Sequence, residues 1–180
     1  MPKIDLPSLD ILTGIELLVL DVDGVLTDGN ITFTSQGQEI KSFNAKDGAG
    51  MKYWKRVGKK LAIITGRESP IVLRRAKELG VDIVKQNAKN KLPALQEVLS
   101  DLGLKRSQVA AVGDDLPDLP VLTHCGLPIA VADAPEEVKT VATYVTELRG
   151  GCGAVRETIE LILKQTGAWS KIMDRYLLGQ

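Results

Sequence analysis

Leu17-Leu18-Val19-Leu20-Asp21-Val22-Asp23-Gly24-Val25-Leu26-Thr27 is the stretch from which the rest of the chain is read. From Ile15 to Leu20 only Glu16 is polar, the pattern of a strand buried on both faces, as in parallel sheets. Side chains alternate along a strand, so Asp21 and Asp23 can face the same way at its carboxyl end while Val22 packs on the other side. Gly24 lets the chain turn close to whatever sits there. Two like charges so placed repel unless a cation or a shared proton compensates. The stretch reads as a site.

Working outward, Asp28-Gly29 signals a turn, and Ile31-Thr32-Phe33-Thr34 and Glu39-Ile40-Lys41-Ser42-Phe43 flank Ser35-Gln36-Gly37-Gln38. This is a hairpin pattern over about residues 30–43. Gly48 to Val57 reads as a helix with Met51 and Trp54 toward the core. A strand over Leu61–Ile64 ends in Thr65-Gly66-Arg67, and Ser69-Pro70 and Gly80 bracket a helix over 70–79. Val81–Val84 is the next strand and Lys91–Leu102 the next helix. Gln108–Val112 is a strand entering Gly113-Asp114-Asp115-Leu116-Pro117-Asp118. A helix to about Cys125, strand Pro128–Val131, helix Pro135–Ala142 and strand Thr143–Val145 follow. Gly150-Gly151-Cys152-Gly153 then precedes a helix from Ala154 to about Gln165. Residues 1–14 read as a lead-in and 166–180 as a tail.

Strands alternating with helices predict an α/β fold, a doubly wound and mostly parallel sheet in one domain over 1–180 with a small hairpin insertion. Ligands of such sheets bind beyond the carboxyl ends of the strands, near the switch in strand order. Asp21 and Asp23, Thr65-Gly66-Arg67 and Gly113-Asp114 all fall there.

Composition bounds the function. The 180 residues carry 23 basic and 23 acidic side chains, which leaves no electrostatic footprint for nucleic acid. No apolar run reaches membrane-spanning length, and Met1-Pro2-Lys3-Ile4-Asp5 lacks the apolar core of a signal peptide. A cytoplasmic protein with no membrane partner is expected. Cys125 and Cys152 lack Cys-x-x-Cys spacing and read as reduced thiols, and the single His124 cannot build a histidine metal cluster.

The residue types fit phosphate chemistry. Magnesium takes hard oxygen ligands, typically one or two carboxylates plus a substrate phosphate; Asp21 and Asp114 suit it, with the backbone carbonyl of Asp23 as a further oxygen. Asp21 can then attack phosphorus in line, and Asp23 can protonate the leaving alkoxide and later deprotonate water. Thr65 and the Gly66 amide can donate to the phosphoryl oxygens, and Lys91 supplies the cation, with Lys85 and Lys89 as neighbouring rivals. Arg67 either caps the sheet edge or meets a substrate carboxylate. Lys46 and Asp47 are turn residues or pocket residues. Arg156 pairs with Glu160 across a helical turn or reaches substrate. Asp115 faces solvent or anchors Lys91.

Asp21-Val22-Asp23-Gly24-Val25-Leu26-Thr27, Thr65-Gly66-Arg67, Lys91 and Gly113-Asp114-Asp115-Leu116-Pro117-Asp118 together resemble, in order and spacing, the four motifs of the haloacid dehalogenase-like phosphatases. More narrowly, Thr27-Asp28-Gly29, Lys46-Asp47-Gly48, Val131-Ala132-Asp133-Ala134 and Gly150 to Glu157 are similar to a capless subgroup acting on eight-carbon sugar-acid phosphates. The likeness runs from about residue 15 to 163. It implies a magnesium-dependent phosphatase for a small sugar-acid phosphate, with Asp21 and Asp23 catalytic and Asp21, Asp23, Asp114 and Asp118 about the metal. Thr65, Gly66, Arg67, Lys91, Lys46, Asp47 and Arg156 would lie around the substrate. A nonulosonate 9-phosphate is the alternative substrate. It also implies a homotetramer in which the hairpins pair and the glycine-rich C-terminal segment nears a neighbour's site. Length agrees, because neither Gly24–Asp47 nor Lys85–Asn90 can hold a cap domain, so some other body must cover the cleft and a neighbouring subunit is the economical answer. A receiver-type signalling domain shares the sheet, an accepting aspartate, a hydroxyl and a lysine, but it has no need of Asp23 as a leaving-group acid.

Overall fold

The computed structural model describes residues 7–178; residues 1–6 and 179–180 of the domain expected over 1–180 lie outside the described residues. The chain enters through a short helix, α1 (Leu9–Gly14), where a plain lead-in was expected. Only Leu12 of this helix is buried, too little for a helical period to show in the sequence. β1 (Leu17–Leu20) follows and is buried along its whole length. The hairpin is present, but its strands β2 (Thr32–Phe33) and β3 (Glu39–Ile40) are only two residues each. Thr32 faces Ile40 and Phe33 faces Glu39. α2 (Ala45–Arg56) begins before the expected Gly48, because the Asn44 side chain accepts hydrogen bonds from the Lys46 and Asp47 amides.

Beyond α2 come β4 (Lys60–Ile64), α3 (Pro70–Leu79) and β5 (Ile83–Lys85). Val81 belongs to the end of α3 and not to the strand: Gly80 is left-handed at φ 72° and the Val81 amide donates back to Ala76. α4 (Lys91–Leu102), β6 (Val109–Gly113), α5 (Leu119–Leu122), β7 (Leu127–Ala130), α6 (Glu136–Val141) and β8 (Tyr144–Val145) continue the alternation. α7 (Ala154–Gln165) and a further helix, α8 (Trp169–Leu178), close the chain. α8 occupies what read as a tail; its Trp169 and Tyr176 rings meet Tyr53 of α2 edge-on, with centroids 5.8 and 5.9 Å away.

The sheet has the order β5-β4-β1-β6-β7-β8 and every pairing is parallel. β1 is bonded to β4 on one side and β6 on the other, which explains why its apolar run is continuous. The chain steps outward from β1 to β4 and β5, then crosses back to lay β6 on the opposite flank of β1. The switch in strand order therefore sits at the end of β1, where Asp21 emerges. α1, α2, α7 and α8 pack together, and α4, α5 and α6 form a second layer. Met51 and Trp54 are fully buried. Among the described residues, no helix is long and apolar enough to cross a membrane.

Candidate active site

One cleft, about 170 Å³ in volume, lies beyond the carboxyl ends of β1, β4 and β6, lined by Asp21, Asp23, Thr65, Gly66, Arg67, Lys91, Asp114, Asp115, Pro117 and Asp118. Four separate stretches of sequence meet here. Asp21 follows β1 directly and is almost fully buried. Gly24 holds φ 102°, and a methyl group there would lie 2.0 Å from Asp114 Oδ2. Glycine is therefore required both by the turn and by the approach of Asp114.

Lys91, the first residue of α4, is buried and spans the cleft floor. Its Nζ donates to Asp21 Oδ1 at 2.5 Å and to Asp118 Oδ1 at 2.6 Å. The rivals lie elsewhere: Lys85 pairs with Glu97 and Lys89 is exposed. Asp118 also accepts from the Asp114 amide at 2.9 Å and the Asp115 amide at 3.4 Å, bracing the loop after β6. Asp115 does not reach Lys91; its carboxylate accepts from the Leu116 amide and starts a 3-10 turn.

The electrostatics call for a cation. Oxygens of Asp21, Asp114 and Asp118 lie within 4.8 Å of one another, against a single buried lysine. Burial pushes the Asp21 carboxyl up to about 6, Asp118 adding to the effect and Lys91 opposing it. Burial, then the charges of Asp21 and Asp118, push Asp114 up to about 8. Burial acts to lower the Lys91 ammonium, but the two carboxylates outweigh it and hold it above its usual value. An all-oxygen cluster of this kind, with no sulfur or imidazole, suits a hard divalent ion.

Asp23 is held from the other side. Lys41 Nζ donates to its Oδ1, and Arg67 Nε lies 3.6 Å from its Oδ2. Glu39 accepts from Arg67 at 2.8 Å and from the Ser69 hydroxyl at 2.7 Å. Ser69 thus spends its hydroxyl on the hairpin and makes no side-chain cap for α3. Lys41 and Glu39 are hairpin residues in the sequence and do not stand out there as part of the site. The signal was present in the alternation Glu39-Ile40-Lys41, which puts both charges on one strand face, but the hairpin was read only for its apolar residues.

Three expected substrate residues lie outside this cleft. Asp47 is buried at the start of α2 and accepts from the amides of Gly153 at 3.2 Å and Arg156 at 2.7 Å, capping α7. Lys46, beside it, is exposed. Arg156 pairs with Glu160 at 2.5 Å and stacks over the rings of Tyr53 and Trp169, 4.7 and 5.5 Å from their centroids. For Arg156 the helical ion pair is what the single chain shows. The glycine-rich segment packs on its own chain: the Gly151 amide donates to Val25 at 2.9 Å. A methyl group at Gly150 would meet the Gly24 carbonyl at 1.6 Å.

Comparison with known proteins places this geometry in a family. A model of the haloacid dehalogenase-like hydrolases matches residues 80–155. The 3-deoxy-D-manno-octulosonate 8-phosphate phosphatase of Yersinia pestis is 46% identical over 150 residues, 83% of this chain and 80% of that protein. Its Escherichia coli K12 counterpart is 45% identical over 154 residues, 86% of this chain and 82% of that protein. The Moraxella catarrhalis phosphatase of the same name, solved with a magnesium ion, a phosphate ion and a KDO molecule, is 41% identical. It superposes with a TM-score of 0.91 over 98% of this chain and 99% of that one. Shared sequence along most of the domain and a shared fold lead to one assignment: the chain belongs to the haloacid dehalogenase-like hydrolases, as a relative of the 3-deoxy-D-manno-octulosonate 8-phosphate phosphatases.

Proposed function

We propose that the protein is a magnesium-dependent phosphatase that hydrolyses 3-deoxy-D-manno-octulosonate 8-phosphate to the free sugar acid and inorganic phosphate, a step toward lipopolysaccharide. The observation that carries this reading is the meeting, in one cleft, of Asp21, Asp23, Thr65, Lys91 and Asp114, in a chain whose relatives bear that activity in their names. The curated relatives and the KDO complex favour the octulosonate over a nonulosonate 9-phosphate.

Asp21, Asp114 and Asp118, with the Asp23 carbonyl, would hold magnesium. When bound, the ion neutralises the carboxylates and the phosphate oxygens, which removes the repulsion that would otherwise bar an anionic nucleophile. The Asp21 carboxylate attacks phosphorus; the bond to the sugar oxygen breaks as the Asp21–phosphorus bond forms. Asp23 gives its proton to the departing alkoxide, and then takes one from the water that hydrolyses the aspartyl-phosphate. Thr65, the Gly66 amide and Lys91 surround the transferred group, whose charge spreads over its equatorial oxygens. Lys91 additionally fixes the Asp21 carboxylate, leaving its second oxygen for the attack.

The working form is a homotetramer. Ile31, Phe33 and Ile40 project from the hairpin, with Phe33 58% exposed, and a two-stranded ribbon cannot bury these side chains by itself. Pairing with other copies would cover them and shield the cleft, over which the described residues place no cap domain. The test of the chemistry is phosphate release from a panel of sugar phosphates, with magnesium and with chelator. The octulosonate ester is expected to turn over best, chelator to stop it, and Asp21→Asn to abolish it. Near wild-type release by Asp21→Asn would remove the mechanism.

A further inference from the structure

Phosphatase chemistry leaves the buried ammonium of Lys41 unused. Lys41 follows β3, and its side chain is 1% exposed. Burying an ammonium is costly unless carboxylates compensate. Here Asp23 and Glu39 do so: Lys41 Nζ donates to Asp23 Oδ1 and lies 3.5 Å from Glu39 Oε1. Glu39 in turn holds Arg67 at 2.8 Å, and Arg67 lies 3.6 Å from the other Asp23 oxygen. The four side chains close a ring in which each Asp23 oxygen faces a different cation. A turn that merely had to close would need no buried lysine. Ile40, between the two charges in sequence, is exposed, so the hairpin presents an apolar face outward and a charged face to the cleft.

We infer that Lys41 is a positioning residue that aims the Asp23 carboxyl at the leaving oxygen of the substrate. The inference rests on the phosphatase reading and adds to it a working role for the inner face of the hairpin. An aspartate side chain turns about two torsions, and proton transfer needs the carboxyl oxygen within hydrogen-bond reach of the departing oxygen. Contacts on both oxygens remove those torsions, and a displacement of about 1 Å can cost about a hundredfold in rate.

Three substrates separate positioning from other roles. The octulosonate phosphate and a carboxylate-free primary sugar phosphate such as ribose 5-phosphate both expel an alkoxide that needs a proton. p-Nitrophenyl phosphate expels a phenolate that does not. The quantity to read is kcat/KM, which ends at the first irreversible step, loss of the alcohol or phenol. Lys41→Met is expected to lower kcat/KM between about tenfold and a hundredfold on both sugar phosphates, and to leave it within about twofold on p-nitrophenyl phosphate. On that substrate kcat and KM fall together, because hydrolysis of the phosphoenzyme still needs Asp23. Lys41→Gln, which keeps a donor and most of the stem, serves if the methionine variant does not fold. Equal losses on all three substrates would reduce Lys41 to a staple of the hairpin and overturn the inference. A loss confined to the octulosonate ester would make it a contact to the sugar carboxylate and overturn it too. Absence of magnesium-dependent turnover in the unaltered protein would instead sink the phosphatase reading.

Discussion

The Asp21 and Asp114 carboxyls are held above the ordinary range because burial first, and neighbouring acids next, penalise their charged forms. A carboxyl whose folded value is raised adds stability while protonated, and the contribution disappears as pH rises through that folded value. The window therefore runs from about 4 through 6 for Asp21 and through 8 for Asp114. Asp47, raised by burial, has the same sign. Glu39, Asp82 and Glu160 are held below their usual values and are already ionised there. Lys91, held above its usual value, stays charged throughout. Magnesium-free protein is thus expected to lose thermal stability as pH rises from about 4 through about 8. Magnesium should raise the melting temperature more at about pH 8 than at about pH 5.5; scanning fluorimetry with and without chelator checks both. At this scale the sequence was informative where a residue's neighbours along the chain set its surroundings. Asp21, Asp23 and Asp114 could be placed because each ends an apolar strand. Lys91 could be preferred because it opens a helix. For Lys41 the alternation Glu39-Ile40-Lys41 shows the shared face, but not that its partner is Asp23, which lies across a fold in the chain.

Helix ends carry the next level of organisation. α7 is preceded by Gly153, which has no side chain to cap it, and the amides of Gly153 and Arg156 are satisfied by Asp47 from α2. Removing that carboxylate leaves buried amide donors unmet. Asp47→Ala is expected to destabilise the protein by about 1–2 kcal/mol, read as a lower denaturation midpoint, with KM for the sugar phosphate nearly unchanged. A raised KM at unaltered stability would instead return Asp47 to the substrate. Helices with strong punctuation, such as α3 with Pro70 and Gly80 or α4 with Gly103, were legible from sequence. α1 and α8 were not. α1 buries Leu12 alone and α8 buries Ile172 alone among its described side chains, so neither shows a full apolar stripe. α8 instead docks through Tyr53, Trp169 and Tyr176, a contact set by tertiary packing and not by period.

For the molecule as a whole, the parallel sheet was readable because β1, β4 and β6 are the uninterrupted apolar runs that a central strand must be. The hairpin's existence was also readable, and its outward apolar residues Ile31, Phe33 and Ile40 are the ones that the proposed homotetramer would cover. Phe33→Lys is expected to dissociate the assembly in sedimentation velocity and to remove most turnover of the octulosonate ester, while magnesium still binds. A monomer with full activity would contradict the idea that a neighbour shelters the cleft.

The press of Gly150 and Gly151 against the turn running from Gly24 to Thr27 has a consequence for biogenesis. Gly150 and Gly151 lie far along the sequence from Asp21 and Asp23, so the turn after β1 is steadied by backbone synthesised long after it. A polypeptide synthesised only as far as β8 therefore holds the turn that carries Asp21 and Asp23 without the backbone that packs against it.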